Sequence, residues 1–174
     1  MMVLSMPHID LAGVIVTPAD CFLGPASSAS LKILRLFGRS DIPVGHGTLH
    51  GVNPFPTVWR AQPYHIDALP ILNESEEPLT IPLAEPGHQF IARKLREAEQ
   101  PLTILMTGPV TNLAKALTDE PELATKIEEA VCGWAVLSML KAMCAILSII
   151  SGAEWNAPIG THRPPMPCGR PISR

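Results

Sequence analysis

Residues 102–117 read LTILMTGPVTNLAKAL, and the fold turns on this stretch. Four of its first five residues are apolar, without polar alternation. That pattern suits a strand over 102–106 covered on both faces, as in a parallel α/β sheet. Thr107-Gly108-Pro109 ends the strand and opens a helix. Pro109 suits the first helical position, where its missing N–H costs nothing. Thr107 and Gly108 therefore fall at a strand's carboxyl end, where open α/β sheets place their ligands. By physics alone, an ordinary strand–helix connection accounts for the same residues.

Around this stretch lie 174 residues, one domain by length and enough to bury a core. With 47% hydrophobic and 17% charged residues the chain reads as globular. A net charge of −3 supplies no basic patch, so nucleic acid is not an expected partner. The four cysteines, Cys21, Cys132, Cys144 and Cys168, form no CxxC pair and no zinc spacing with histidine. Reduced thiols and a cytoplasmic location are the expectation. The start MMVLSMPHID lacks the basic opening and long apolar core of a signal peptide.

Taken in order, residues 1–5 read as the last turn of a helix that Pro7 breaks, and 9–17 as a strand. A helix follows over 24–37, its apolar face made by Leu31, Leu34, Ile33 and Phe37, with Gly38 as C-cap. Asp20 sits just past the first strand's carboxyl end. It either faces a ligand or caps the following helix, and both readings stand at this point. Residues 40–47 suit a short strand. A proline-rich connection follows, and His46, His50 and His65 along this stretch read as solvated loop residues. The acidic run 73–78 (NESEEP) is a surface loop, not a metal site. Residues 85–100 predict an amphipathic helix, with Phe90, Ile91 and Leu95 inward, Arg93, Lys94, Arg96 and Glu97 outward, and a structural His88 in its first turn. A short helix over 121–129 completes the alternation. The expected fold class is α/β, a mostly parallel open sheet flanked by helices with right-handed crossovers.

At residue 131 the character changes. VCGWAVLSMLKAMCAILSII carries one charge, Lys141, and is long and apolar enough to meet the rule for a membrane span. A lysine near the middle costs about 3 kcal/mol on insertion scales, and no basic flank follows, so a membrane anchor is the lesser reading. A non-enzymatic remnant that associates through exposed apolar surface is the other alternative.

TGPVTNLAKAL resembles the TG-x-[LV]-TN-[LI]-A-x-A-[LV] signature of the inosine-uridine-preferring nucleoside hydrolase family. These are calcium-dependent enzymes that cut the N-glycosidic bond of purine and pyrimidine ribonucleosides, as in nucleoside salvage. Laid without gaps over residues 13–38, the family pattern puts Asp20 where an asparagine usually touches the ribose. His50-Gly51 is similar to an HG dipeptide near the substrate, and Glu154-Trp155-Asn156 to an E-[FW]-N motif. The resemblance implies that Thr107 gives its backbone carbonyl to calcium, that Glu154 and Asn156 hold ribose hydroxyls, and that Asp20 and His50 stand at the substrate.

The family's first strand, with its D-x-D-P-G-x-D-D calcium loop, would lie just upstream of this chain. Its downstream half, with a leaving-group histidine and a further calcium aspartate, is not recognisable either. The expectation is therefore a partial domain over 1–130 with the first strand and C-terminal half missing, no catalytic residue retained and calcium not bound. Residues 131–174 read as an apolar, then proline-rich tail around an EWN island at 154–156. Codons for Cys132-Gly133-Trp134 read two bases on can spell the family's Trp-Met-Gly, so residues 131–152 and 158–174 are expected to be out-of-frame translation around a short in-frame island. The ribonucleoside is the implied partner, with self-association through exposed apolar surface.

Overall fold

Val14, Ile15 and Val16 are all β-branched, which favours extended backbone, and they form β1 (Val14–Val16). The computed structural model describes residues 2–48, 56–132 and 135–138. Helix α1 (Leu23–Leu36) follows, and then β2 (Val44–His46), whose three residues pair in parallel with Val14, Ile15 and Val16. Two short helices, α2 (Thr57–Arg60) and α3 (Gln62–Asp67), lead to β3 (Leu83–Pro86), which pairs in parallel with β2. Helix α4 (Gly87–Glu97), β4 (Leu102–Met106) and α5 (Thr111–Asp119) come next. Strand β5 (Ile127–Cys132) is parallel to β4, and β6 (Ala135–Ser138) is antiparallel to β5. The fold is α/β with mainly parallel strands. Among the described residues, however, the strands make two three-stranded sheets, β1-β2-β3 and β4-β5-β6.

Gly38 ends α1 as expected. Its φ of 67° is the left-handed conformation that glycine adopts freely. The Gly38 and Arg39 amides return to the Arg35 and Leu34 carbonyls at 2.9 and 2.8 Å, closing the helix end. Met2–Ser5 is a 3-10 turn rather than α-helix.

Four sequence expectations change. The strand predicted over 9–17 narrows to β1, the residues that β2 pairs with. Among the described residues, strand β4 is packed on one face and not on both. Leu102, Ile104 and Met106 pack against the core made by α4 and α5, while Leu105 is 53% exposed on the other side. The helix predicted over 85–100 gives its start to β3 and begins at Gly87. Pro86, fixed at φ −60° and ψ 144°, holds the chain extended there. The helix predicted over 121–129 is a 3-10 turn, Pro121–Lys126, followed by β5. Pairing of its backbone with β4 outweighs the helical leaning of Glu128 and Glu129. Strand β5 reaches Cys132 and β6 lies beyond it, so the first part of the apolar stretch is strand. Among the described residues no helix is long and apolar enough to cross a membrane. Residues 139–174 lie outside the described residues.

Two buried clusters hold the fold. Val16, Leu31, Leu34, Ile42 and Val44 join β1, β2 and α1. Ala92, Leu95, Leu113, Ala116, Leu123 and Ile127 join α4, α5 and β5. The 3%-exposed Phe90 carries α4 onto the first sheet, where its Cε1 would stand 2.8 Å from a Cβ at Gly13.

Candidate functional site

Parallel strands point their carboxyl ends the same way, so the loops after β1, β2 and β3 gather at one end of the first sheet. Thr17 and Asp20 follow β1, while His46 and Gly47 stand at the end of β2. The Gly47 amide donates to the Val16 carbonyl at 2.8 Å and draws the two loops together. The turn after β4 meets this end through Asn112, in the first turn of α5. Asn112 is 3% exposed, and its Nδ2 donates to Thr17 Oγ1 at 3.2 Å. A Cβ at Gly47 would lie 2.5 Å from Asn112 Nδ2 and 3.1 Å from Thr17 Oγ1, so only glycine leaves room for the amide.

Two buried polar atoms at this end have no hydrogen-bond partner among the described residues, Asn112 Oδ1 and His46 Nε2. Half-buried His46 is thus no solvated loop histidine, as the sequence suggested; it closes β2. His88 does lie in the first turn of α4, with its Nδ1 buried and unpartnered. It lines a cavity of about 370 Å3 with Glu85, Arg93 and Glu120. Arg93 is paired to Glu85 and Glu97, first Glu85 and then Glu97 holding its guanidinium more firmly protonated than usual.

Asp20 is exposed and borders an open groove of about 510 Å3 with Cys21, Ala29, Trp59, Gln62 and Ile66. The helix-capping reading falls, because Phe22 is the N-cap of α1 and no side chain caps it. That leaves the Asp20 carboxylate free to face a ligand. The free Cys21 thiol donates to the Thr17 carbonyl at 3.2 Å, and burial pushes its pKa up. The far wall of the groove is fixed to α1 by Lys32. Its Nζ reaches the Asp67 carbonyl at 2.9 Å, the Asp67 carboxylate at 3.0 Å and Asn73 Oδ1 at 2.7 Å. Burial pushes the Asp67 carboxyl up, but hydrogen bonds from Ser28 and Lys32 outweigh it and hold the group below its ordinary range. The Arg60 guanidinium lies 4.7 Å over the Phe22 ring.

Of the residues the sequence singled out, Asp20 and Thr107 are both exposed and follow β1 and β4, while His50, Glu154 and Asn156 lie outside the described residues. Sequence reasoning passed over Thr17, Gly47 and Asn112. A buried asparagine inside the signature motif was the signal that could have found them. Calcium takes about six to eight oxygen ligands, mostly carboxylates. Among the described residues no group of three His, Cys, Asp or Glu side chains could hold a metal ion.

The model of the family described as inosine-uridine preferring nucleoside hydrolase matches residues 1–156. An inosine-uridine preferring nucleoside hydrolase of Bacillus anthracis is similar over 75% of this chain and 43% of its own, with 44% identity and a TM-score of 0.73. A purine-preferring ribonucleoside hydrolase of Gardnerella vaginalis, 25% identical with a TM-score of 0.59, aligns over 74% of this chain and 42% of its own. An Arabidopsis thaliana protein named "Probable uridine nucleosidase 2" is 26% identical over 129 residues, 74% of this chain and 40% of the relative. The chain thus spans about two fifths of the length of the relatives it matches. With 156 of its 174 residues inside the family match, the chain belongs to the inosine-uridine preferring nucleoside hydrolases.

Proposed function

We propose that this chain carries the ribose-side wall of a site that hydrolyses the N-glycosidic bond of purine and pyrimidine ribonucleosides, and that alone it does not turn over. One observation carries the reading: Asn112, in the signature motif, is bonded to Thr17, three residues before Asp20. The turn that bears Thr107 and the loop that bears Asp20 therefore belong to one ligand end. N-ribosyl cleavage passes through an oxocarbenium-like state, and contacts to the ribose hydroxyls that tighten as charge develops on the sugar lower the barrier. Asp20 accepts from such hydroxyls. Glu154, Asn156 and His50 complete the substrate contacts in this reading. A reducing, cytoplasmic setting belongs to the same reading.

The test incubates the purified chain with inosine or uridine and calcium, assays free ribose, and follows the amide NMR signals of Asp20 and Thr107. The expected result is displacement of both signals by either nucleoside, with no ribose released. Ribose release would overturn the inactivity, and unmoved signals would overturn the ribose-side wall.

A further inference from the structure

We infer that Asn112 is a positioning residue that locks the loop bearing Asp20 to the turn bearing Thr107. Its burial has a cost, since a primary amide at 3% exposure gives up its water, and among the described residues the bond to Thr17 Oγ1 is what replaces it. Its Oδ1 has no partner among the described residues. The helix positions that follow it, Leu113, Ala114 and Ala116, are buried and apolar. A residue there for packing alone would be apolar too. Gly47 adds an independent observation. Three chain segments, after β1, after β2 and at the start of α5, close on this one amide with no space for a methyl group between them.

The bond ties the two loops directly, whereas α4 joins the two sheets through their cores, Phe90 on the first and Leu95 on the second. The sheets share no strand pairing, and their buried clusters are distinct. Thr17 lies three residues before Asp20, and Asn112 five after Thr107. Fixing Asn112 on Thr17 therefore sets the spacing of the exposed carboxylate and the exposed turn across which a ligand would lie. The inference extends the ribose-side reading, but its test needs no nucleoside.

That test is amide hydrogen exchange on the full chain, comparing wild type with Asn112→Leu, Thr17→Val, Gly47→Ala and the Asn112→Leu/Thr17→Val double variant. Each single variant is expected to speed exchange at the hydrogen-bonded amides of Ala19, Gly47 and Ala114 together, by about five- to tenfold, the worth of one hydrogen bond. Amides in the middle of α1 and α4 keep their wild-type protection, and the double variant is no worse than either single one. Thr17→Val, nearly isosteric, covers the case in which Asn112→Leu does not fold. The inference is overturned if Thr17→Val moves only its own loop. Additive effects of the two substitutions, or uniform acceleration of all amides, would overturn it equally. Nucleoside titration of the same variants is read separately, so failure to bind ribonucleoside leaves the exchange result intact.

Discussion

Leu95 and Leu105 are both expected from the sequence to be buried and meet opposite fates, which makes the pair a direct test of how α4 and β4 are packed. Leu95 is 1% exposed and sits among Ala92, Leu113, Ala116, Leu123 and Ile127, side chains from α4, α5, the 3-10 turn and β5. Truncating it to alanine removes buried methyl groups and leaves a cavity that neighbours fixed on several elements do not refill. The expected cost is about 3 kcal/mol, within the range measured for buried leucines. For a domain of this size that lowers Tm by roughly 10 °C. Leu105→Ala, at a side chain 53% exposed, is expected to cost less than about 0.5 kcal/mol. Urea unfolding followed by far-UV circular dichroism gives both values, the midpoint shifting while the slope m stays constant. Two equal losses would mean that β4 is covered on both faces and that the one-sided sheet described above is wrong. A loss below about 1 kcal/mol for Leu95→Ala would refute the cavity argument itself.

Lys32→Met is expected to destabilise the chain by about 2 kcal/mol, because it strips three partners from a pair whose side chains are only 13% and 26% exposed. Since the Asp67 carboxyl is held below its ordinary value of 3.8, the pair stabilises fully above that pH and is lost as pH falls through the lowered value. The Lys32→Met protein should therefore lose stability less steeply than wild type below about pH 4, and parallel acid-unfolding curves would refute this. Gly13→Ala forces a methyl group onto the buried Phe90 ring and is expected to cost about 2 kcal/mol, whereas Gly45→Ala meets only the movable end of Ile15 and costs less. Phe90→Leu in the Gly13→Ala background should recover part of that loss, which thermal unfolding of the double variant checks.

What was legible in the sequence follows from how local the cause is. Helix α1 and its end at Gly38 rest on apolar spacing and a left-handed glycine, both carried within some fifteen residues. Strand β3 was hidden because LAEP has neither alternation nor β-branched residues, and only β2 beside it makes it a strand. The start of β5 was read as the end of a helix over 121–129. Register with β4 decides otherwise, and register is not written in the strand itself. The site divides the same way. Asp20 and Thr107 were singled out from strand ends, whereas Asn112, Gly47 and Thr17 meet across separations of up to 95 residues that no spacing rule reports.

In the proposed ribose-side reading, Asp20 would give the ligand end its particular chemistry. At this position the family resemblance puts an asparagine, which both donates and accepts, while a carboxylate only accepts. In the proposed reading, the ribose hydroxyl facing Asp20 must therefore be the donor, and its acceptor capacity has to be met from elsewhere. A full negative charge also gains more than an amide dipole as positive charge grows on the sugar, so the exchange favours the transition state over the bound nucleoside. That gain depends on distance, and Asp20 stands in an exposed loop with no helix cap to hold its carboxylate. The rigidity such a charge needs has to come from the loop's anchor, and the buried bond between Thr17 and Asn112 supplies it.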